Sequence, residues 1–405
     1  MHDCHETNLL ARASLDQCLK CTICETHCPV MAVTPLFPGP KFVGPQAERY
    51  RHGRTVDRAV DYCSSCGTCT LVCPQGVKIA ELNSAARAVM KKDHMPLRDQ
   101  LISRTTVMGK AMVPVAGLAN GLLRASVVRW GMEKLIGIHR KAAMPIAAKR
   151  TFSSWWKRHT PTSTPTRGKV VYFHGCAGEY FEVETSIKSV EVLEHLGYEV
   201  VVPPQGCCGL ALQSNGLFDA ARTYVRTLAD QLNGEPGTPV ITAAGSCVGM
   251  LKHEAREIMG VEDPTVIEVG ARMREISEFL LELHESGELP QDFLPIDLRV
   301  AYHAPCQLKG QGMGKPALEV LSLIPDLEVV DAEATCCGIA GTYGFKKEKY
   351  DIAQAVGKPL FDKVVEVNPT LAVCDTETCR WQIATSTGAD VVHPIWLIHK
   401  AYGLG

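Results

Sequence analysis

Two stretches near the start of the chain, CLKCTICETHCP from Cys18 to Pro29 and CSSCGTCTLVCP from Cys63 to Pro74, share one cysteine spacing. Each has three cysteines separated by two residues and a fourth cysteine followed by proline, which is the spacing that holds cubane iron–sulfur clusters. In two-cluster proteins of this type, the remote fourth cysteine of each run ligates the other cluster. We therefore predict two [4Fe-4S] clusters, the first cubane held by Cys18, Cys21, Cys24 and Cys73 and the second cubane held by Cys63, Cys66, Cys69 and Cys28.

The chain has 405 residues and 18 cysteines, and its formal net charge is -2. This length predicts two to four domains, and the balanced charge gives no support for a nucleic acid partner. The first residues contain no basic region followed by a long apolar stretch, so we expect a reducing compartment. There, regularly spaced cysteines favour metal ligation over disulfides, and these triplets differ from the separated cysteine pairs of zinc ribbons.

A basic segment follows the two cysteine runs. Between Met95 and Thr160 there are twelve lysine and arginine residues against two acidic residues. The charge-free stretch AMVPVAGLANGLL is too short to span a bilayer, which needs about twenty apolar residues, and its proline and glycine predict a break in any helix. We expect either an interfacial membrane helix, with basic residues toward anionic headgroups and Trp155 and Trp156 at the boundary, or a connector packed on a partner subunit.

The remainder of the chain repeats itself. KVVYFHGC matches LRVAYHAPC, GCCGLA matches TCCGIAG, and AAGSCVGML matches TETCRWQI, at offsets of 130, 129 and 132 residues. A nearly constant offset indicates a duplicated domain of about 120 residues. In each copy β-rich runs alternate with helical stretches, so we predict two parallel sheets whose strand ends bring the cysteines to one edge.

Each copy carries four matching cysteines, two of them adjacent and followed by glycine. Gly209 and Gly338 permit a tight turn with positive φ, which brings both thiolates of a pair to one site. Buried structural cysteines or a catalytic dithiol are the alternatives. Because the set recurs, we favour metal ligation, by Cys176, Cys207, Cys208 and Cys247 in the first copy and by Cys306, Cys336, Cys337 and Cys379 in the second.

These features resemble the iron–sulfur subunits of flavoprotein dehydrogenases and of heterodisulfide reductase, whose duplicated cysteine-rich domains are called CCG domains. More narrowly, CLKCTICETHCPV, PLFPGPKFVGPQAERYR, CCGIAGTYGFKKEKYDIAQAVGKPLF and CRWQI resemble the family of iron–sulfur, CCG-domain subunits of bacterial anaerobic glycerol-3-phosphate dehydrogenases. The resemblance implies a flavoprotein catalytic partner, electron transfer through this chain to membrane quinone, and a peripheral position on the cytoplasmic face of the inner membrane. The iron–sulfur subunit of a lactate or glycolate oxidase, which shares this architecture, is an alternative.

The chain departs from the fuller CCG pattern, in which each copy ends in a Cys-x2-Cys pair. Ala244 and Thr376 stand at the first position of that pair, so each copy lacks one thiolate. This counts against a second alternative, a heterodisulfide reductase with five-cysteine clusters. A third alternative is a structural anchor whose CCG copies carry no metal. Cys374 is a candidate substitute ligand, and Cys4 is assigned to no site.

Two histidines occupy matching places before the first cysteine of each copy. His174 and His303 are candidates for a hydrogen bond to cluster sulfur or for proton delivery to quinone, the alternative being a polar strand end. Lys346, Lys347 and Lys349 are expected on a solvated helix face. No dinucleotide fingerprint, phosphate loop or nucleophile elbow is present, so we predict no flavin, nucleotide or catalytic residue on this chain.

The sequence thus predicts a multidomain chain. A mainly α-helical ferredoxin domain with two [4Fe-4S] clusters spans 1–94, and the basic segment with a Pro-, Ser- and Thr-rich linker spans 95–167. Two α/β CCG domains follow at 168–290 and 291–405. The predicted cofactors are two cubanes and further iron–sulfur in the CCG domains, and the predicted partners are flavoprotein subunits, quinone and the membrane surface.

Overall fold

A computed structural model of the protein describes residues 9–47, 57–92, 95–161 and 163–404. Cys4 and the end of the stretch PLFPGPKFVGPQAERYR lie outside the described residues. Within them, a mainly helical N-terminal part is followed by two α/β copies, and the predicted fold class is confirmed.

The N-terminal part is built from short helices that begin directly after turns of the cysteine runs. The first three helices are short because cysteines and turn residues interrupt the chain every few positions, whereas the fourth is long and packs on both runs. The helices are α1 (Leu9–Ala13), α2 (Ile23–Thr26), α3 (Thr68–Leu71) and α4 (Ile79–Lys91), with 3₁₀ turns at Ser14–Gln17 and Arg58–Tyr62 and a π-helical turn at Phe42–Gln46.

The basic segment is also helical and leads into the first CCG copy. The predicted break at Pro114 is a 3₁₀ turn over Val113–Val115 rather than an interruption, and Thr105–Arg124 runs as one helical stretch of 20 residues. The segment consists of α5 (Leu97–Ile102), α6 (Thr105–Met112), α7 (Ala116–Arg124), α8 (Ser126–Leu135) and α9 (Phe152–Trp156).

Each CCG copy contains a four-stranded parallel sheet, and the two sheets have the same topology. Short runs of Val, Ile and other apolar residues form the strands, as expected for sheets covered on both faces. The strand orders are β2-β1-β3-β4 and β6-β5-β7-β8. The strands are β1 (Lys169–Tyr172), β2 (Glu199–Val201), β3 (Val240–Thr242), β4 (Met273–Glu275), β5 (Leu298–His303), β6 (Leu327–Asp331), β7 (Leu371–Cys374) and β8 (Val391–Val392).

Helices connect the strands and cover both faces of each sheet. In the first copy they are α10 (Gly175–Tyr180), α11 (Val183–His195), α12 (Leu210–Ser214), α13 (Phe218–Leu232), α14 (Gly245–Gly249), α15 (Ala255–Glu257), α16 (Pro264–Arg272) and α17 (Ile276–Glu285), with a π-helical turn at Met250–Glu254. In the second copy they are α18 (Cys306–Gly310), α19 (Pro316–Leu321), α20 (Tyr350–Val367), α21 (Glu377–Thr387) and α22 (Pro394–Ala401), with a 3₁₀ turn at Tyr343–Phe345.

The two CCG copies share one hydrophobic core. Helices α11 and α17 of the first copy pack against α22 and α19 of the second, so a layer of helices separates the two sheets. Buried side chains from both copies, among them Tyr172, Ile276, Tyr302 and Ile395, belong to one continuous cluster. This packing fixes the two strand-end edges, and therefore the two cysteine sets, relative to each other.

The solvated helix face expected for the three lysines after the second CCG turn is wrong for two of them. Lys346 and Lys349 are buried, whereas Lys347 is exposed. The Lys346 ammonium lies 2.9 Å from Asp99, and that of Lys349 lies 2.7 Å from Asp61. These ion pairs join the second CCG copy to the ferredoxin part and to α5, contacts that are local in space but far apart along the chain.

The tryptophans expected at a membrane boundary are not at the surface. Trp155 and Trp156 are half-buried against the shared core of the CCG copies, and Trp155 stacks on His159 with 4.3 Å between ring centroids. Trp130 on α8 is the exposed tryptophan of the basic segment, with 52% of its surface accessible. The sequence therefore indicates the basic segment but not which of its tryptophans faces outward.

Candidate metal centres

Cysteines predicted to hold the first cubane gather at one end of the ferredoxin part. Burial raises the pKa of Cys24 to about 11, and Cys18 and Cys73 are close enough for their charges to add to this rise. The remaining predicted ligand, Cys21, is exposed. The structure thus brings the remote Cys73 to the first run, as the spacing predicts, and ligation of iron by this set stays a prediction.

The second set is more deeply placed. Burial raises the pKa of Cys28 to about 12, with Cys63 and Cys66 as neighbouring thiols, and Cys69 has all three beside it. Backbone N–H groups two and three residues further along the chain donate to the sulfurs of Cys63 and Cys28, at 3.4 and 3.5 Å. Donors to sulfur of this kind are one of the means by which proteins adjust cluster potentials.

Both runs wrap their sulfurs with the same unusual backbone. Lys20 and Thr22 in the first run have φ values of 59° and 68°, and Ser65 and Gly67 at the matching positions have 55° and 80°. Left-handed backbone costs a residue other than glycine roughly 1–2 kcal/mol. Such strain, repeated at equivalent positions, is typical of a loop shaped around a bound group.

A buried cation beside the second set supports the same assignment. Arg87 on α4 is 5% exposed, and its guanidinium donates to the carbonyl oxygen of Cys63 at 2.7 Å and to the Ser65 hydroxyl at 2.8 Å. Its Nε has no acceptor, and within the described residues no carboxylate lies in ion-pair distance. Buried charges are normally paired, so the surroundings of Arg87 fit an anionic cluster on Cys63 and its neighbours.

In the CCG copies, the double cysteines form the turns that the glycines predicted. Gly209 has a φ of 80° and Gly338 a φ of 84°. The second cysteine of each pair turns toward the later cysteine of its copy: the Sγ atoms of Cys208 and Cys247 are 3.1 Å apart, and those of Cys337 and Cys379 are 3.0 Å apart.

The first cysteine of each pair turns toward the cysteine that follows the first strand. The Sγ atoms of Cys207 and Cys176 are 3.7 Å apart, and Cys336 has Cys306 as its hydrogen-bonding neighbour. Hydrogen bonds from these neighbours hold the pKa of Cys207 and of Cys336 well below the usual thiol range. Each copy therefore presents a thiolate inside a group of four sulfurs, the form in which cysteine binds metal.

The two CCG sets open into a common cavity of about 400 Å³ between the copies. All eight cysteines line it, together with Cys66 of the second cubane set. The remaining wall is largely apolar and comes from the basic segment, including Leu101, Met108, Met112 and Met132. The sequence placed the cysteines of each copy on a strand-end edge, and the tertiary structure places both edges around one space.

The second cubane set adjoins the cysteines of the second CCG copy. Burial and then the charge of Cys336 raise the pKa of Cys66, and Cys66 in turn is among the charges that raise the pKa of Cys306. Helix α18, which begins at Cys306, packs on α3 of the ferredoxin part. The two cysteine systems are therefore continuous in space.

The matching histidines have different surroundings. The Nδ1 of His174 donates to the Gly175 carbonyl at 2.8 Å. His303 is 2% exposed, burial lowers its pKa to about 4, and neither of its ring nitrogens has a hydrogen-bond partner among the described residues. Cys374 is fully buried near Cys379, so its role as a substitute ligand stays a prediction.

A buried polar cluster between the two copies was not predicted from the sequence. Glu275 and His393 both cap the last helix of their copy, and Asp375 follows β7 between them. The three side chains are completely buried, with His393 Nε2 3.3 Å from Glu275 Oε1. Only the packing of one copy on the other brings them together, and nothing in their local sequence indicates it.

Comparisons with known proteins agree with this arrangement. Residues 14–77 match the 4Fe-4S dicluster domain family, and residues 170–252 and 300–384 match the cysteine-rich domain family. The third (C) subunit of the anaerobic glycerol-3-phosphate dehydrogenase of Escherichia coli K12 is 36% identical over 397 residues, which are 96% of this chain and 98% of that protein.

More distant relatives share most of the length. A subunit of the dihydromethanophenazine:CoB–CoM heterodisulfide reductase of Methanosarcina barkeri is 24% identical, with 96% of this chain and 94% of that protein covered. The probable glycolate oxidase iron–sulfur subunit of Bacillus subtilis is 24% identical, with 78% and 74% covered. From the two cysteine runs, the duplicated CCG copies and the near-complete similarity, this chain belongs to the family of iron–sulfur electron-transfer subunits of anaerobic glycerol-3-phosphate dehydrogenase.

Proposed function

We propose that this chain carries electrons from the flavin of a glycerol-3-phosphate-oxidising partner to a membrane quinone, and holds the complex on the cytoplasmic face of the inner membrane. One observation carries the proposal: the cysteine sets form a spatial succession from the exposed Cys21, through Cys66 beside Cys306 and Cys336, to an apolar cavity. Bound clusters would supply one-electron carriers along this succession.

Electron entry is assigned to the first cubane set. Cys21 is exposed, whereas the second set adjoins the CCG copies. Apolar side chains that border the first set in sequence face outward: Leu19 is 69% exposed and Leu71 is 56% exposed. Exposed apolar side chains next to a redox centre favour docking of a protein partner, here the flavoprotein subunits.

Electron exit is assigned to the cavity between the CCG copies. Its volume lies within the range of small-molecule sites, and its wall combines apolar side chains with a few polar groups, as such sites do. Helix α6 begins at this cavity, where the Thr105 hydroxyl donates to Cys176 Sγ at 3.1 Å, and continues toward the exposed surface of α7. An apolar quinone would reach the CCG cysteines along this helix.

The same helix is the proposed membrane contact. Thr105–Arg124 is long and apolar enough to cross a bilayer by length and composition, and 11% of it is buried. Its first turns, however, are held on the protein: a Cβ at Gly109 would lie 2.3 Å from the Tyr180 ring. A helix fixed at one end in this way favours an interfacial position, with Leu118 (66% exposed) toward the acyl chains.

Substrate reduction of the purified complex tests the first half of the proposal. The chain, purified without oxygen together with its flavoprotein, is mixed with glycerol-3-phosphate, and the visible absorbance of the clusters is followed. Bleaching by glycerol-3-phosphate but not by lactate or glycolate is expected. Bleaching by lactate or glycolate instead would assign the chain to that class of oxidase, and clusters that stay oxidised with every substrate would remove the relay.

Quinone reduction tests the second half. The complex is added to vesicles of anionic lipid that contain menaquinone, and quinol is measured after addition of substrate. A bulky Ala177→Trp change at the cavity wall is expected to reduce quinol formation while cluster bleaching by substrate continues, with Ala221→Trp in the core of α13 as a control for general misfolding. Equal quinol formation in the wild type and Ala177→Trp would place quinone reduction elsewhere.

A further inference from the structure

His303 stands out because it is buried without partners. It ends β5, is 2% exposed, and neither ring nitrogen meets a hydrogen-bonding group within the described part of the chain. An imidazole offers two nitrogen positions for hydrogen bonds or metal, and leaving a buried polar group unsatisfied costs about 1–3 kcal/mol. A side chain in this position is expected to contact a group other than the polypeptide.

Cysteine sulfurs are the groups that face the ring. A ring nitrogen of His303 and the Sγ atoms of Cys337 and Cys379 all lie within 4.8 Å of one another. Metal–nitrogen bonds of about 2.0–2.1 Å and metal–sulfur bonds of about 2.3 Å would place such ligand atoms between three and four ångströms apart in a tetrahedral site. Small side-chain movements therefore suffice for all three to bind one metal.

The equivalent residue in the first copy lacks these features. The Nδ1 of His174 donates to the Gly175 carbonyl, and its Nε2 lies 3.6 Å from Glu179. Its ring also packs on Phe152, with 5.2 Å between centroids. The protein itself thus occupies His174, so the repeat in sequence does not extend to a repeat in role.

A ligand is also missing where His303 is found. The second copy has Thr376 at the position of the absent thiolate, and the buried Thr376 hydroxyl likewise has no hydrogen-bond partner among the residues described. Histidine replaces cysteine on one iron of some iron–sulfur clusters, so a nitrogen ligand is chemically suitable. We propose that His303 is a nitrogen ligand of the iron–sulfur group held by Cys336, Cys337 and Cys379 in the second CCG copy.

Nitrogen hyperfine coupling tests this inference directly. The full chain is purified without oxygen, with and without ¹⁵N in its histidine rings, and the paramagnetic state of the CCG-bound group is examined by electron–nuclear double resonance. The proposal predicts a strong coupling that changes with the isotope, because the two cubanes have only cysteine ligands and contribute none. A weak coupling alone would mean a hydrogen bond to sulfur and would overturn the proposal.

Variants then assign the coupling to one residue. His303→Cys is expected to keep the iron content and lose the strong coupling, because it exchanges the nitrogen for a thiolate. His174→Gln, the matched control, is expected to keep both. Coupling that persists in His303→Cys contradicts the inference, and if that variant does not fold, the isotope result on the wild type decides alone.

The inference rests on the part of the proposed function that places iron in the CCG copies, and the two fail differently. Iron that does not exceed the content of the two cubanes would remove both the extra group and the role of His303. Extra iron without nitrogen coupling would remove only the role of His303 and leave the electron relay in place.

Discussion

At the residue scale, Arg87 shows how a single buried charge acts on a redox centre. Its guanidinium holds the Cys63 carbonyl and the Ser65 hydroxyl, and among the described residues no carboxylate neutralises it. A nearby positive charge stabilises the more negative, reduced state of a cluster. The residue lies on the middle of α4, where its sequence neighbours are small and apolar, so only the fold reveals its position.

We expect Arg87→Gln to lower the midpoint potential of the second cubane by an amount on the order of 60 mV, which corresponds to about 1.4 kcal/mol for one electron. Redox titration followed by electron paramagnetic resonance measures this shift. Arg87→Lys should restore most of the potential because it restores the charge, and Arg222→Gln on α13 should leave it unchanged. Equal potentials in Arg87→Gln and the wild type would show that the charge is neutralised elsewhere.

The buried cluster between the CCG copies makes a prediction about pH. Burial raises the pKa of both Glu275 and Asp375 to about 7 and lowers that of His393 to about 3. Between roughly pH 4 and 7 the folded carboxyl groups keep protons that the unfolded chain releases, so their contribution to stability falls as the pH rises through this window. His393 acts in the opposite sense, since the unfolded chain takes up its proton below about pH 6.5.

Glu275→Gln removes one of the two carboxyl groups and should therefore gain stability relative to the wild type as the pH is raised from 5 to 8. The gain should reach on the order of 2 kcal/mol. Thermal unfolding midpoints measured without oxygen at several pH values give the difference. Glu285→Gln, an exposed change on the same helix, is the control, and a difference for Glu275→Gln that is independent of pH would contradict the assignment.

At the scale of elements, the stretch Thr105–Arg124 links the CCG cavity to the outer surface. Arg124 and Lys134 are exposed and available for anionic headgroups. Arg129 is not equivalent, because its guanidinium donates to the backbone carbonyls of Arg140 and Ala142 and so fixes a loop. A charge-reversal test of membrane binding must leave Arg129 unchanged.

Leu118→Asp is expected to reduce binding of the chain to anionic vesicles by about tenfold or more, since a charge replaces an apolar side chain at the proposed acyl boundary. Arg124→Glu combined with Lys134→Glu should weaken binding less, and added salt should abolish their effect. Co-sedimentation with vesicles measures both. Val365→Asp, an exposed change on α20, is the control, and equal loss in this control would locate the effect outside the helix.

At the scale of the whole molecule, the shared core of the CCG copies places both cysteine sets around one cavity and one of them beside the second cubane. Iron and acid-labile sulfide should therefore exceed the content of about eight per chain that two cubanes require. Cys208→Ser and Cys337→Ser should each lower the iron content toward that value. Cys4→Ser, outside every predicted set, should not, and a wild-type value of about eight would leave the CCG cysteines without iron.

Much of this architecture could be predicted because its determinants are local. The spacing of Cys18 to Pro29 fixes the reach of three thiolates, and a nearly constant offset between repeated motifs requires a duplicated fold. Gly209 and Gly338 adopt the positive φ that a double cysteine at one site requires. Each of these inferences depends on residues a few positions apart, where bond geometry leaves few conformations.

The remaining features depend on contacts between distant parts of the chain. Lys346 meets Asp99 across 247 residues, so its charge appeared solvated until the fold buried it. His174 and His303 look equivalent in the repeat, and only their neighbours distinguish a ring held by a carbonyl from a ring that faces sulfur. The cysteine pattern therefore specifies the chemistry of the protein, whereas burial and charge pairing, which arise only when remote segments pack together, decide where that chemistry meets its partners.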